Sequence, residues 1–544
     1  MNQGDKRMSR KILGGIFILM CFVAANVFAQ NQNPSAAAGG RSPIGTGLDG
    51  LNYWSTELPF VDVFKTSGPW FSGTADVFED ARPLDLDKHG WVRSLKPGQI
   101  AKTLMLWTIQ PHFPAGRYIV QYEGEGTLDY YFEHERVRVE KSPGRDVIEI
   151  NAPPGGGIGI FITSVNPANY IRNIRVAMPI DAPPGEIFNS LFLERLQGYT
   201  TIRFLSWMFG QSAQDTAVTP NTWSNRPVQE DARWGGIRGA PLEVMVALAN
   251  RLKINPWFNI PHLADDDYVR HFAEAVRDSL DPELKVYIEH SNEVWNGIYP
   301  QCEYSQKKGL ELGLGTEREE AGFRYHARRS REIFAIFEQV FSGRDRLVRV
   351  LATQSERPEI IEIYFKNGDI TPKDVDAIAI APYFGYELGT PENADRVRKM
   401  SLDDLFGELE NKTIPEAFSY VTRQVEIARN YGLPVITYEG GQHLVDAGPL
   451  GGGEAQKNSG QMNLLFDAAN RDPRMGRSYS NYLKNWSEIT GGQLFVHLEN
   501  CGNFNENGRW GALEYLDQPR AEAPKYDAIM RWIEGTVREK HDSF

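Results

Sequence analysis

Cysteine is nearly absent from this chain, with three in 544 residues, and one of those, Cys21, sits in an N-terminal apolar run. The other two, Cys302 and Cys501, cannot staple a chain of this size, so an apolar core has to carry its stability. They either pair with each other or stay as free buried thiols, and sequence leaves both readings open. An excess of basic charge is also absent. The formal net charge is −13, which excludes the positive footprint by which nucleic acid is held. No long apolar run occurs after residue 29, so no integral membrane span is expected in the mature chain. There is no phosphate-cradling glycine loop, no zinc-ligand spacing and no nucleophile elbow. No cofactor and no metal is implied. The acidic run Asp265-Asp266-Asp267 could take a calcium ion, but it reads better as the start of a helix.

The N-terminus reads as an address rather than as structure. Lys6, Arg7, Arg10 and Lys11 form a basic region, Ile12 to Ala25 an apolar one, and Val27 and Ala29 occupy the −3 and −1 positions of a cleavage site. A signal peptide over residues 1–29, cleaved near Ala29, predicts a secreted or periplasmic protein. The apolar run falls short of the about 20 residues of a membrane span. Residues 30–45, rich in Asn, Ala and Gly, are expected to form a disordered leader.

What the chain does have is alternation. From residue 186 onward, short β-branched runs alternate with helical periods, which predicts a parallel sheet covered by helices. Seven strands are expected: TIRFLSW (201–207), NPWFNI (255–260), KVYIEHS (285–291), LVRVLAT (347–353), VDAIAIAP (375–382), LPVITYE (433–439) and GQLFVHL (492–498). Helices are expected over 241–252, 267–280, 317–341, 358–366, 414–431, 461–486 and 524–534. An eighth strand is assigned upstream to GLNYWS (50–55), within a segment spanning 46–73. More than a hundred residues separate it from the next barrel element, too many for an ordinary connection. Residues 74–180 instead hold short runs (102–107, 117–124, 128–133, 147–152 and 159–165) divided by turn clusters such as Ser142-Pro143-Gly144, the pattern of an antiparallel sandwich. The expected fold is therefore α/β: a (β/α)8 TIM barrel, completed by residues 181–544, with an antiparallel β-sandwich inserted after strand one. That sandwich is a candidate carbohydrate-binding module, with Trp91, Trp107 and Tyr130 as candidate sugar-facing rings.

Two of the strands end in a glutamate: Glu293 in IEHSNEVWNG (288–297) and Glu439 in VITYEGGQH (435–443). Carboxylates at the C-terminal tips of barrel strands are placed for chemistry, and two that converge can cleave a glycosidic bond. A retaining cleavage needs one protonated carboxyl as acid and one ionised carboxylate as nucleophile, about 5–5.5 Å apart. Their proton affinities must be driven apart by their surroundings. The strand count places Glu293 on strand four and Glu439 on strand seven, across a narrow mouth.

Asn292-Glu293 on strand four with a lone Glu439 on strand seven resembles clan A of the (β/α)8-barrel glycoside hydrolases, which contains many cellulases, mannanases and β-glycosidases. The spacing of Glu289 to Asn292-Glu293 resembles that clan too. The resemblance covers roughly residues 46–72 and 186–537 and leaves the sandwich outside. The wider phrase Ser-Asn-Glu-Val-Trp-Asn is similar to a group of exported bacterial proteins often labelled cellulose-binding. The resemblance implies Glu293 as acid/base and Glu439 as nucleophile. It also implies Arg203 as a hydrogen-bond donor to the nucleophile, Asn292 on the sugar 2-hydroxyl, Tyr383 positioning the nucleophile, and His262 lining the subsite at the cleavage point. Two departures bear on substrate class more than on reaction type. Val294-Trp295 stands where proline commonly follows the acid/base, and strand eight ends with His497 and Glu499 where tryptophan is common.

Blander readings stand beside these. Glu289 is expected to form a buried ion pair below the site, and Arg203 could equally be its partner. His262 and His497 are each readable as satisfied core histidines. Trp223, Trp234 and Trp295 lie on loops at the same end as the glutamates, as sugar platforms or as loop packing. The expected function is an exported retaining hydrolase acting on a β-linked poly- or oligosaccharide by double displacement. The alternative is a barrel that binds glycan, or serves as a scaffold, without cleaving.

Overall fold

The computed structural model describes residues 41–109, 111–132, 137–150, 156–210, 221–446 and 459–541. The signal-peptide reading of residues 1–29, and most of the leader expected after it, lie outside them. Eight parallel strands form a nearly closed ring: β1 (Ile44–Gly47), β2 (Thr201–Arg203), β3 (Asn255–Ile260), β4 (Val286–His290), β5 (Leu347–Ala352), β6 (Ala377–Ile380), β7 (Val435–Thr437) and β8 (Phe495–His497). From β1 to β7 each pairs with the next in sequence, and β1 also pairs with β8, so that it lies between β2 and β8. At the seam between β7 and β8, Thr437 N–H donates to Leu494 O at 3.2 Å and Val496 N–H to Thr437 Oγ1 at 2.6 Å.

Strand alternation divides the core in two, because successive side chains leave a strand on opposite faces. Trp257, Tyr287, Val350, Ala377, Ala379, Ile436 and Val496 point inward and form a separate cluster inside the ring. Their neighbours Phe258, Ile288, Leu351, Ile378, Val435 and Phe495 pack outward in the larger cluster that includes the helices. Helix Asp266–Ser279 illustrates the outer layer. Asp265 caps it by accepting from Tyr268 N–H, and Asp266 and Asp267 complement the positive end of the dipole. Tyr268, Val269, Phe272, Ala273 and Val276 form its buried face. The acidic run is thus a helix start, the blander of its two readings.

The seven strands expected from residue 186 onward appear at the expected places, trimmed by up to four residues at an end. The first does not. Residues 50–55 form a turn in which Asp49 accepts from Gly50 N–H and Ser55 Oγ, and Asn52 Oδ1 accepts from Trp54 N–H. β1 lies earlier, at Ile44–Gly47, so residues 41–45 belong to the barrel and not to a leader; Ser42 is already buried. The sequence Ile-Gly-Thr-Gly hides this strand because its glycines answer to packing rather than to strand propensity. A Cβ on Gly47 would lie 2.0 Å from Leu498 O, and one on Gly45 2.9 Å from Thr201 O.

Between β1 and β2 the chain builds two four-stranded antiparallel sheets. One runs 71–73, 100–105, 158–165, 126–131, and the other 172–177, 116–123, 145–150, 137–140. Ile158, Ile160 and Ile162 of the first, and Tyr118, Val120, Ile148 and Ile150 of the second, are fully buried in one continuous apolar cluster. Trp91 is buried there too. Tyr130 packs against that cluster and donates its hydroxyl to Asp146 at 2.6 Å, so it is tied between the sheets. Cys302 and Cys501 are both free and buried, which settles the choice left open by their sequence.

Candidate functional site

The site grows from three inward-facing positions of neighbouring strands. Alternation puts Trp257 and Asn259 of β3 and Glu289 of β4 inside the ring, and Arg203 ends β2 beside them. The Glu289 carboxylate accepts from Trp257 Nε1 and Asn259 Nδ2, each at 2.8 Å, and makes a two-pronged pair with Arg203. Arg203 does more than balance that charge. Its Nη2 donates to Asn292 Oδ1 at 2.7 Å, and its Nη1 to Glu439 Oε2 at 2.9 Å. The guanidinium fork suits this geometry because its donors point outward in one rigid plane. Arg203 therefore pairs with Glu289 and donates to Glu439 at once.

Glu439 lies just past β7, 7% exposed, and its second oxygen accepts from the Tyr383 hydroxyl at 3.0 Å. Burial pushes its carboxyl up to about 7; the Arg203 charge opposes this, the Glu293 charge reinforces it, and the Tyr383 hydrogen bond pulls it down. Glu293 is half-buried at the tip of β4. It accepts from Tyr438 hydroxyl at 2.8 Å and from Asn296 Nδ2 at 2.9 Å. Ser291 and Glu293 both have left-handed backbone, with φ of 55° and 42°. Two such non-glycine residues in three positions make a sharp exit from the strand, the kind of local strain that surrounding contacts must hold. Gln301 Nε2 supplies one such contact, donating to Asn292 O at 2.7 Å.

The two carboxylates share one environment. Tyr299, Tyr383 and Tyr438 are each shifted upward by burial together with the charges of both Glu293 and Glu439. Their donor sets differ. Glu439 is held by a cation and a phenol, Glu293 by a phenol and an amide. Such an arrangement can keep charge on one carboxylate while the other handles a proton, because a cationic donor favours the ionised form most strongly.

The remaining candidates divide. Asn292 is fully buried against Arg203. Trp295 is half-buried, its ring 6.2 Å from those of Tyr438 and His326. His262 is buried past β3 with its ring edge-on to Tyr304 at 4.8 Å. His497 sits behind the site: it is buried, its Nε2 lies 3.2 Å from the Tyr479 hydroxyl and its Nδ1 2.9 Å from Glu499 O. It follows the core reading. Trp234 is buried edge-on to Phe60 at 4.9 Å, with Lys65 over its face, where the barrel meets the inserted sheets. Trp223 packs between His271 and Arg226. Both pack against neighbouring side chains, away from the contacts that hold the two glutamates. Among the described residues, no group of three or more His, Cys, Asp or Glu is arranged to hold a metal ion.

Sequence reasoning missed Tyr438, Asn296, Tyr299 and Trp510. Strand alternation would turn Tyr438 away from Glu439, but β7 ends at Thr437 and the chain bends, so adjacent side chains serve the same mouth. Asn296 carried a local signal, since its N–H closes a turn onto Glu293 O at 2.9 Å. Trp510 carried none. It arrives on the loop after β8 to meet Tyr383 at 5.8 Å and His443 at 4.9 Å.

No protein-family model matches this sequence, and no curated protein does. Solved structures similar to the chain include a fungal beta-1,4-galactanase, with 12% identity over 62% of this chain and 90% of that one, TM-score 0.37. A GH5 xyloglucan-specific endo-beta-1,4-glucanase from a metagenomic library, in complex with cellotriose, matches at 15% identity over 63% and 86%, TM-score 0.30. An endo-beta-1,4-mannanase from Thermotoga petrophila matches at 11% over 64% and 72%, TM-score 0.32. Likenesses this distant assign no role to any residue here.

Proposed function

We propose that this protein is a retaining glycoside hydrolase acting on a β-linked poly- or oligosaccharide. The observation that carries the reading is the pair of strand-tip glutamates acting on the same three tyrosines while held by unlike donors. Glu439 is the nucleophile: one oxygen attacks the anomeric carbon as the bond to the leaving oxygen breaks. Glu293 gives its proton to that oxygen, then takes one from the water that releases the sugar from Glu439. Arg203 and Tyr383 favour the ionised form of the attacking carboxylate against its burial and aim it, and Asn292, held by Arg203, is the group assigned in this reading to the sugar beside the reacting carbon. Export follows from residues 1–29 and is checked by the N-terminal mass of the secreted chain.

The test is a glycan-panel digestion by the purified chain beside its Glu439→Ala variant. The variant is expected to fold normally and lose turnover. Azide should restore cleavage and give a product of inverted configuration, because a small anion fills the gap left by the carboxylate. Full activity in Glu439→Ala excludes this mechanism.

A further inference from the structure

The inserted sheets carry a feature that the site chemistry does not use. On the first sheet, one face is the buried one formed by Ile158, Ile160 and Ile162. The opposite face carries a row of rings: Trp107, Tyr131, Phe161, Phe78 and Phe71. Consecutive centroids lie 6.5, 5.7, 6.3 and 5.4 Å apart, and Tyr131 and Phe161 are within 8° of parallel. Tyr131 and Phe78 are 42% and 40% exposed, and the other three are half-buried. A contiguous exposed aromatic row is unusual for a surface with no partner and marks a binding face.

The local backbone is shaped around these rings. Gly159 pairs with Tyr131 across the strands, and a Cβ there would meet Tyr131 Cβ at 3.0 Å and Phe161 Cε1 at 3.2 Å. Only glycine leaves that gap for the two rings to lie along the sheet. Trp107 is flanked by Leu106 and Thr108, both left-handed at φ 54° and 61°. Two non-glycine residues in that conformation on either side of one tryptophan are a cost that ordinary core packing would not require.

The two charged side chains on the sheet beneath the rings are satisfied internally. Lys102 lies beneath the rings, 5.3 and 5.1 Å from the Phe78 and Phe161 centroids, and its amine donates to Thr74 O and Val77 O at 2.8 Å each. Asp129 accepts from Lys141 at 2.7 Å and Thr163 at 3.1 Å. Among the described residues, what remains is a strip of ring faces fringed by hydroxyls, paired ions and the exposed acids Asp76 and Glu79 on either side of Val77-Phe78. That complements an uncharged polyhydroxylated chain, whose C–H faces stack on rings while its hydroxyls meet the fringe. The acids in that fringe disfavour a polyanion.

We infer that this face is a second glycan-binding site, separate from the barrel mouth, which holds a neutral β-linked polysaccharide along the ring row. The class of chain rests on the proposed function; the existence of the site does not. The test is affinity electrophoresis in native gels containing hydroxyethylcellulose, galactomannan or arabinoxylan, with Glu439→Gln as the parent chain so that turnover plays no part. The parent should be retarded in at least one gel. Tyr131→Ala with Phe161→Ala in that parent should weaken the apparent affinity at least tenfold, while Ile237→Ala, at an exposed position elsewhere, should not. Tyr131→Ala alone gives the same comparison if circular dichroism shows the double variant unfolded. Equal retardation of parent and ring variants would place binding at the barrel mouth and overturn the inference, as would no retardation in any gel. A dimer of the parent that the ring variants turn into monomer in sedimentation would assign the face to a second copy, and would overturn it too. The Glu439→Ala digestion can fail without affecting this result, so the two readings fall separately.

Discussion

Glu439→Gln should make the protein more stable at alkaline pH and leave it nearly unchanged in acid. The structure gives the size of the effect. Burial raises the Glu439 carboxyl from an ordinary 4.5 to about 7 in the folded chain, even with Arg203 beside it. At pH 4 both folded and unfolded chains hold the proton. Above pH 4.5 the unfolded chain releases it while the folded chain retains it, so stability falls with rising pH until about 7 and is level beyond. The separation between 4.5 and about 7 corresponds to about 3 kcal/mol. Glutamine has the shape of the protonated acid and does not titrate, so its variant should escape that loss. Urea unfolding of both chains from pH 4 to 8 measures the difference, which should grow toward about 3 kcal/mol in favour of the variant. A difference that stays flat across this range would refute the claim that an ionised Glu439 is held there at a cost, and with it the argument for a functional rather than structural carboxylate.

Three further outcomes follow from the same contacts. Tyr383→Phe removes a hydrogen bond that favours ionised Glu439, so the acidic limb of kcat/KM should move to higher pH and kcat should fall, with folding intact by circular dichroism. Arg203→Met leaves the Glu289 carboxylate buried without its cation and should cost about 3–5 kcal/mol in urea unfolding; Arg203→Met with Glu289→Gln should recover part of that. Cys302 and Cys501 should react with a thiol reagent only after denaturation, and a reductant should leave the thermal midpoint unchanged.

Sequence made the repeating barrel strands legible because each is a short β-branched run with helices on either side. NPWFNI matches β3 residue for residue. It also marked Glu293 and Glu439, since each breaks an apolar strand with an acid at its end. β1 was misplaced because its glycines are selected by contacts with Thr201 and Leu498, residues 156 and 451 positions distant. Trp223 and Trp234 keep two readings in sequence, sugar platform or loop packing, because a tryptophan in a polar loop looks the same whether it faces a ligand or a neighbouring layer. Two rings of the row on the inserted sheet, exposed Tyr131 and half-buried Phe161, lie in runs read only as strands. Which side they face depends on register with their neighbours.

By itself the chain determined its alternation of strand and helix, the two acids at strand ends, and a cysteine count too low for a disulfide framework, since these rest on local periodicity and composition. Tertiary structure decided that Arg203 would join Glu289, Asn292 and Glu439, that Tyr438 and Tyr383 would divide the two glutamates between them, and which aromatic rings would face out. The reason is closure of the ring: strands β2, β4, β6 and β7 meet at one mouth only once all eight are in register, and no window of sequence contains that register.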